Sequence, residues 1–183
     1  MRIIAGTNRG RKIKQPQLDT VRPTKDRVRE AVFSMIADRI PEAEVLDIFS
    51  GSGAYGLEAL SRGAKSCVFI EKDPECANIL QENISILKEE EKSSNMTMDA
   101  LEAVKSLGGE KAKFDLIFSD APYTLNINKK LLIMIYQYDI LKPTGMLVIE
   151  HSSQEELPAV EGDVSFYKQK TYGDTTISLF LRK

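Results

Sequence analysis

Apolar residues along the chain follow two spacings, the short runs of buried strands and the three-to-four-residue spacing of helices. Short runs predict strands at residues 45–49, 66–71, 95–98, 114–119 and 146–150, and helical spacing predicts helices at residues 55–62, 74–88, 100–107 and 129–140. Strands that alternate with helices predict a parallel sheet covered on both faces. Ligands of such sheets bind at the carboxyl ends of the strands.

The two ends of the chain depart from this alternation. Two strand-like runs, residues 164–170 and 175–182, leave no room for a helix and predict an antiparallel hairpin. A small basic β-hairpin is predicted at the other end, followed by a connector and a helix at residues 24–39. A parallel sheet closed by an antiparallel hairpin is typical of class I methyltransferases. We therefore predict an α/β, Rossmann-like, seven-stranded, mostly parallel sheet with a C-terminal antiparallel hairpin and an N-terminal β-hairpin extension.

The length and composition fit one soluble domain, with 183 residues, 42% hydrophobic and 28% charged. We predict a single domain over residues 1–183, in which residues 1–23 form the hairpin and connector and residues 24–183 the catalytic core. No apolar run approaches the roughly 20 residues of a membrane span, and the start has no signal-peptide core. Cys67 and Cys76 fit neither a disulfide framework nor a zinc pattern. We expect a cytoplasmic monomer with no metal.

The net charge of −2 hides an uneven distribution. Residues 1–39 carry ten Lys/Arg and four Asp/Glu, whereas the rest of the chain carries fifteen and twenty-three. The first fourteen residues hold five cations and no acid, namely Arg2, Arg9, Arg11, Lys12 and Lys14. A basic arm on an acidic body indicates a polyanionic partner such as a nucleic acid. The alternative is a solvated segment whose charges aid solubility.

A glycine-rich loop follows the first predicted strand. Gly51, Gly53 and Gly56 match the pattern G-x-G-x-x-G, which permits a tight turn and lets a ligand lie against bare backbone. Nicotinamide and flavin sites share this pattern. Glu71, about 20 residues later, can accept hydrogen bonds from ribose hydroxyls in all of these cases.

Two acids bear on the identity of the cofactor. Asp47 precedes Gly51 by four residues and would repel a pyrophosphate, whereas the sulfonium and α-ammonium of S-adenosylmethionine are cationic. The alternative for Asp47 is a structural acid that caps loop amides. Asp99, followed by Ala100, can accept from an adenine amino group, or it can cap the next helix. These two roles of Asp99 are compatible.

The fourth predicted strand ends in Asp120, Ala121, Pro122 and Tyr123. Methyltransferases that modify an exocyclic amine of a nucleobase carry Asp/Asn-Pro-Pro-Tyr/Phe at such a strand end. The Asp120 carboxylate and the Ala121 carbonyl can hold both amine hydrogens, and Tyr123 offers a stacking face for a base outside its helix. The alternative is that these four residues form an ordinary turn at the end of a strand, without a catalytic role.

Ala121 stands where these enzymes carry the first proline. It keeps the carbonyl acceptor, and Pro122 still restricts its backbone to extended angles. The fixed φ angle of proline is lost. We therefore predict a working site with weaker preorganisation.

The whole chain resembles the RsmD family, bacterial methyltransferases for the N2 of a guanine in 16S ribosomal RNA. The matching blocks are residues 1–6, 10–12, 22–24, 26–31, 47–53, 56–64, 71–73, 115–117, 150–151 and 172–175. The departures are Ala121, Ser50 where alanine is common, and Val21 where threonine is common. The resemblance implies S-adenosylmethionine as cofactor and assembled small ribosomal subunits as substrate.

The resemblance and the motifs together define three sets of site residues. The catalytic set is Asp120, Ala121, Pro122 and Tyr123. The cofactor-binding set is Asp47, Gly51, Ser52, Gly53, Glu71, Lys72, Asp99 and Ala100. The RNA-binding set is Arg2, Arg9, Arg11, Lys12, Lys14 and Arg22.

Three other functions remain open from the residues. A DNA adenine-N6 methyltransferase would share the strand-four motif, but the chain lacks the extra target-recognition domain that such enzymes usually carry. A nicotinamide oxidoreductase is disfavoured by Asp47 and by the terminal hairpin. An RNA-binding ribosome-assembly factor with a weakened site is suggested by Ala121 and the basic arm.

Overall fold

A computed structural model describes residues 1–16 and 23–183. Most of the predicted connector, with Arg22, lies outside the described residues. Within them, the α-helices are α1 (Pro23–Met35), α2 (Ala54–Ser61), α3 (Pro74–Leu87), α4 (Ala100–Gly109) and α5 (Asn128–Gln137). The strands are β1 (Glu44–Ile48), β2 (Ser66–Ile70), β3 (Ser93–Met96), β4 (Phe114–Asp120), β5 (Leu141–Ser152), β6 (Val160–Glu161), β7 (Val164–Tyr172) and β8 (Thr175–Arg182).

The strands form one sheet in the order β3-β2-β1-β4-β5-β8-β7-β6. The first five strands in chain order are parallel, and β8 and β7 add to β5 in antiparallel register. The mostly parallel sheet and its C-terminal hairpin are therefore confirmed. The predicted number of seven strands is wrong, because the described residues contain eight. The extra strand, β6, has two residues, too few to produce an alternating hydrophobic pattern.

Helices cover both faces of the sheet. On one face, Val32 of α1 and Leu57 of α2 pack in a cluster with Phe118 of β4. On the other face, Val104 of α4 and Leu131 of α5 pack with neighbouring residues of the same strands. Successive side chains of a strand point to opposite faces, so each central strand contributes to both clusters.

Two predicted boundaries differ from the structure by four or more residues. The predicted helix at residues 24–39 ends at Met35, and the 3-10 turn Ala37–Arg39 follows. Strand β5 starts at Leu141, five residues earlier than predicted, and continues through the Pro143–Gly145 turn signal. The turn signal is accommodated as an irregularity of register between β4 and β5, where Thr144 has a φ of 63°.

The N-terminal segment pairs with itself at a single bridge, Arg2 to Lys12. Ile3 and Ile13 are buried in the core on the α1–α3 face. At the turn, Gly6 has a φ of 82°, and a Cβ atom there would lie 1.7 Å from the Ser61 carbonyl oxygen. Only glycine fits this close approach, which fixes the segment against the end of α2.

Candidate active site

Four carboxylates lie at the carboxyl ends of adjacent strands, at Asp47, Glu71, Asp120 and Glu150. Asp47 pairs in register with residues of β2 and β4 that belong to the cluster under α1–α3. Because side chains alternate along strands, all four acids point to this same face. The edge where an α/β sheet binds its ligands is therefore strongly acidic.

The three loop glycines have different roles. Gly51 and Gly53 have φ angles of 53° and 86°, which favour glycine. A Cβ atom at Gly53 or Gly56 would clash with core side chains, as near as 2.5 Å and 2.3 Å. A Cβ atom at Gly51 would meet no atom within 4 Å. Gly53 and Gly56 therefore serve packing, while Gly51 presents its backbone to open space where a ligand can lie.

The Glu71 carboxylate is held in front of this loop by two backbone amides. One oxygen accepts from the Gly51 amide and the other from the Asp73 amide, both at 2.8 Å. A carboxylate has about four lone-pair sites, so each oxygen can accept one more hydrogen bond. This arrangement suits a ligand that presents two adjacent hydroxyls, as a ribose does.

Asp47 is buried behind the loop, with 1% of its surface exposed. Its Oδ2 accepts a hydrogen bond from the Gly56 amide at 2.8 Å, the structural role that was one of the two alternatives. Burial raises the pKa of Asp47 to about 7, and the charges of Asp120 and Glu71 add smaller increases. The hydrogen bond from the Gly56 amide acts in the opposite direction and lowers the pKa. A cation bound at this edge would favour the ionised carboxylate.

The turn after β4 brings the predicted catalytic residues to the same edge. Asp120 ends β4 in register with Glu150 of β5, and Ala121 is buried at 1% exposure. Pro122 has a φ of −53° and precedes a 3-10 turn, Tyr123–Leu125. Tyr123 is 37% exposed, and its hydroxyl lies 2.8 Å from the Thr175 hydroxyl. The ring of Tyr123 is thus accessible to a base while its hydroxyl contacts the terminal hairpin.

Sequence reasoning missed the partnership of Glu150 with Tyr55. The Tyr55 hydroxyl donates to Glu150 at 2.7 Å, and its ring stacks on Phe118 with centroids 5.3 Å apart. Burial raises the pKa of Tyr55 well above its usual value, as do Glu150 and Asp120. Tyr55 therefore remains a hydrogen-bond donor toward Glu150. The signal in the sequence was the acid at the end of the fifth predicted strand.

The remaining predicted cofactor residues lie around the loop. Asp99 caps α4, accepting from the Leu101 amide at 2.9 Å, and Ala100 is buried behind it. The Ser52 carbonyl accepts from the buried Asn83 side chain at 2.9 Å. Lys72 is exposed just beyond the end of β2. The capping role of Asp99 is thus observed, and its contact with a cofactor stays a prediction.

The predicted RNA-binding residues divide into two groups. Arg11 donates to Asn8 and to the Ile86 carbonyl, and Lys14 pairs with Glu82 at 2.6 Å. The other arm cations that the structure describes, Arg2, Arg9 and Lys12, have exposed side chains without an acidic partner among the described residues. Arg22 lies outside the described part of the chain.

The arm is held against helices α1 and α2 by contacts that the sequence did not reveal. The buried Glu58 accepts from the Ile4 and Ala5 amides at 2.8 and 3.0 Å and pairs with Arg62 at 2.7 Å. Arg29, 2% exposed, donates to the Arg2 carbonyl at 2.6 Å. Arg29 is therefore structural, and the turn of the arm lies at the end of α2 farthest from the glycine loop.

Residues 1–16 and 23–183 contain neither a cluster suited to a metal ion nor a membrane-spanning helix. This part of the chain holds no group of three or more His, Cys, Asp or Glu side chains arranged to bind a metal ion. It also holds no helix with both the length and the apolar character of a membrane span.

A Rossmann-like sheet closed by an antiparallel hairpin, with a glycine loop after β1 and an acid–Pro–Tyr turn after β4, defines a class I methyltransferase. Residues 1–181 match the family described as Conserved hypothetical protein 95. The chain belongs to this family, and the predicted resemblance to the RsmD methyltransferases is confirmed.

Individual relatives match the sequence of this chain over nearly its full length. Ribosomal RNA small subunit methyltransferase D of Haemophilus influenzae is 34% identical, covering 98% of this chain and 93% of its own. YlbH of Bacillus subtilis, named provisionally as an rRNA methyltransferase, is 34% identical over 100% of both chains. The solved structure of yhhF from Escherichia coli, described provisionally as a methyltransferase, superposes with a TM-score of 0.89 at 32% identity, covering 100% of this chain and 98% of that one.

Proposed function

We propose that this protein transfers a methyl group from S-adenosylmethionine to the exocyclic N2 amine of a guanine in 16S ribosomal RNA of the small ribosomal subunit. The observation that carries the proposal is the Asp120–Tyr123 turn at the same acidic edge as the glycine loop. The relatives named as small-subunit ribosomal RNA methyltransferases support RNA as the substrate.

The acidic edge supports S-adenosylmethionine over a dinucleotide. Gly51 offers bare backbone, Glu71 can accept from ribose hydroxyls, and Asp47 adds negative charge behind the loop. A pyrophosphate in this place would be repelled by these carboxylates. When bound, S-adenosylmethionine supplies the methyl group and leaves as a neutral thioether.

The residues of the β4 turn position the amine. The nitrogen lone pair of such an amine is delocalised into the ring, so it must be turned toward the methyl donor. The Asp120 carboxylate and the Ala121 carbonyl accept from the two amine hydrogens, and Tyr123 stacks on the base. Once the nitrogen is methylated it must lose a proton, and Asp120 is placed to receive it. Positioning and electrostatics account for most of the rate acceleration.

The choice of guanine rests on the resemblance to the RsmD family. Adenine, cytosine and guanine each have one exocyclic amine, and that of guanine is N2. The β4 turn recognises an amine without selecting among these bases. The identity of the methylated base must therefore be determined from the reaction product.

Methyl transfer to small subunits from a strain that lacks the enzyme tests the proposal. Labelled cofactor should deliver one methyl group per subunit, and nucleoside mass spectrometry should find 2-methylguanosine. Methyladenosine would overturn the choice of base. An Asp120→Ala variant should bind the cofactor in calorimetry but transfer no methyl group.

A second candidate is an RNA-binding assembly factor with a weakened site, which the Ala121 substitution favours. This candidate predicts cofactor binding and subunit binding without turnover by the wild-type protein. The same assay separates the two, because the proposed enzyme must label its substrate in repeated turnovers.

A further inference from the structure

The lysines at the two ends of the sheet differ in their partners. At the end where the parallel strands begin, Lys65 and Lys142 pair with Glu44 at 2.9 and 2.7 Å, and Lys113 pairs with Asp139. These charges are satisfied within the protein. They are therefore poor candidates for binding a polyanion.

Four exposed lysines near the acidic edge pair with no acidic side chain in the part of the chain that the structure describes. Lys129 and Lys130 lie in the first turn of α5, a few residues after Tyr123, and Lys168 and Lys170 lie on β7. None of the four forms an ion pair with a described residue.

The position of Lys129 and Lys130 is unfavourable for helix stability. Cations near a helix N-terminus oppose the helix dipole, and the first turn of α5 contains no acid to compensate. At the start of α5 the Asn128 side chain donates to Glu155 at 2.9 Å, but neither lysine forms an ion pair with a described residue. A local rule that is broken in this way is expected at functional sites. The pair therefore indicates a need for positive charge beside the β4 turn.

Lys170 lies in the same row of the sheet as Asp120. The register pairs Asp120 with Glu150, Glu150 with Ile177, and Ile177 with Lys170, across strands β4, β5, β8 and β7. Residues that are paired in register point to the same face, so Lys170 and Asp120 share a face. Three strand spacings separate them by about 14 Å.

The terminal hairpin also contacts the β4 turn directly. The Tyr123 and Thr175 hydroxyls lie 2.8 Å apart, and Thr175 pairs in register with Tyr172. The Lys170 ammonium lies 5.2 Å from the centroid of the Tyr172 ring. The hairpin thus extends from the target site to Lys170 as one continuous surface.

We propose that Lys168 and Lys170 on β7, with Lys129 and Lys130 on α5, bind the phosphates of the RNA strand on either side of the methylated nucleotide. This inference rests on the proposed function, since it places the substrate of the same site. The negative charge of the phosphates complements four cations that form no ion pair with any residue the structure describes. The basic arm, whose turn lies at the far end of α2, then contacts a more distant part of the particle.

The test measures binding to small ribosomal subunits as a function of salt. The variants are Lys129→Glu with Lys130→Glu, and Lys168→Glu with Lys170→Glu. The control is Lys105→Glu with Lys111→Glu, which makes the same charge change at exposed lysines on α4 and just after it.

Each test variant should lower subunit affinity by tenfold or more and reduce the slope of log affinity against log salt by about 1.5, because two phosphate contacts are lost. The control should change neither by a comparable amount, and cofactor affinity should stay at the wild-type value in all three. Wild-type affinity and slope in both test variants would overturn the proposal, as would an equal loss in the control. An inactive wild-type protein would refute the methyl transfer alone, since binding is measured without turnover.

Discussion

The side chain of Asn83 on α3 donates a hydrogen bond to the Ser52 carbonyl of the glycine loop at 2.9 Å. The same side chain accepts from the Lys14 amide at 2.7 Å and donates to the Lys14 carbonyl at 2.9 Å. The Asn83 side chain is fully buried. It therefore links the N-terminal arm to the loop that is proposed to hold the cofactor.

Replacing Asn83 by alanine should destabilise both the arm and the loop. The buried hydrogen bond to the Ser52 carbonyl and two partly buried ones to Lys14 are lost, which lowers the free energy of unfolding by about 1–3 kcal/mol. Urea unfolding measures this loss, and calorimetry should show weaker cofactor binding. Asn78→Ala, an exposed site on the same helix, is the matched control and should stay close to wild type. Equal stabilities of the two variants would contradict the structural role of Asn83.

Replacing Glu58 by glutamine should be more damaging. The substitution keeps the shape but removes the charge that faces Arg62 at 2.7 Å and Arg29 at 3.9 Å. Breaking a buried ion pair from one side costs about 3–5 kcal/mol. Chemical denaturation should find this loss, whereas Glu102→Gln at an exposed position of α4 should change the stability by less than about 0.5 kcal/mol. A mild effect at Glu58 would mean that water reaches the arginines.

The raised pKa of Asp47 predicts a pH dependence of stability. Its pKa is about 7 in the folded protein, against about 3.9 for an unperturbed aspartate. Between these values the unfolded chain has released the proton while the folded protein retains it, so stability falls as pH rises from about 4 to 7 and is then level. Asp47→Asn removes this contribution. Between pH 4 and 7 the unfolding free energy of the variant should therefore rise relative to that of the wild type. Parallel curves of unfolding free energy against pH for the two proteins would show that the pKa of Asp47 is not raised.

Substitutions of Tyr123 should separate its ring from its hydroxyl. Tyr123→Ala removes the proposed stacking face and should cost about 1–3 kcal/mol of substrate binding, seen as a higher KM for small subunits. Tyr123→Phe keeps the ring, loses the contact with Thr175, and should raise KM by no more than a few-fold. If the phenylalanine variant were as impaired as the alanine variant, the hydroxyl and not the ring would be the functional group.

Ala121→Pro tests whether the β4 turn is less preorganised than a turn that carries two prolines. Ala121 is buried and precedes Pro122, so the backbone is already restricted to extended angles. Proline would fix φ as well and should raise kcat a few-fold with unchanged cofactor affinity. A lower kcat in a stably folded variant would show that the Ala121 amide is needed.

The sequence predicted those parts of the molecule that depend on local patterns. Apolar runs and turn residues located the central strands and the glycine loop, and the β4 turn followed from a motif. The hydrogen bonds from the arm to Glu58 and from Asn83 to Ser52 could not be predicted. Each joins residues more than 30 positions apart through a buried polar side chain, and nothing in the local pattern distinguishes such a side chain from a solvated one.

The basic arm shows the same limit. Its composition predicted a single nucleic-acid-binding surface, yet Arg11 and Lys14 are engaged by residues of one helix, α3. Charge counting cannot tell a cation that is free to bind a phosphate from one that is paired within the fold. The lysine pairs on α5 and β7 were not predicted as a binding surface, because two lysines in a short stretch do not stand out in the charge distribution of the chain.

The strand order has a consequence for synthesis of the chain. Strand β5 pairs with β8, which follows it by more than twenty residues, and β7 joins the sheet through β8. While the ribosome is still adding residues before Arg182, one edge of β5 remains unpaired, with Leu147, Val148 and Ile149 in that strand. An open apolar edge invites pairing with other chains. Nascent or truncated chains that stop short of Thr175 should therefore aggregate. Pairing of β8 with β5 covers the open edge and prevents this aggregation.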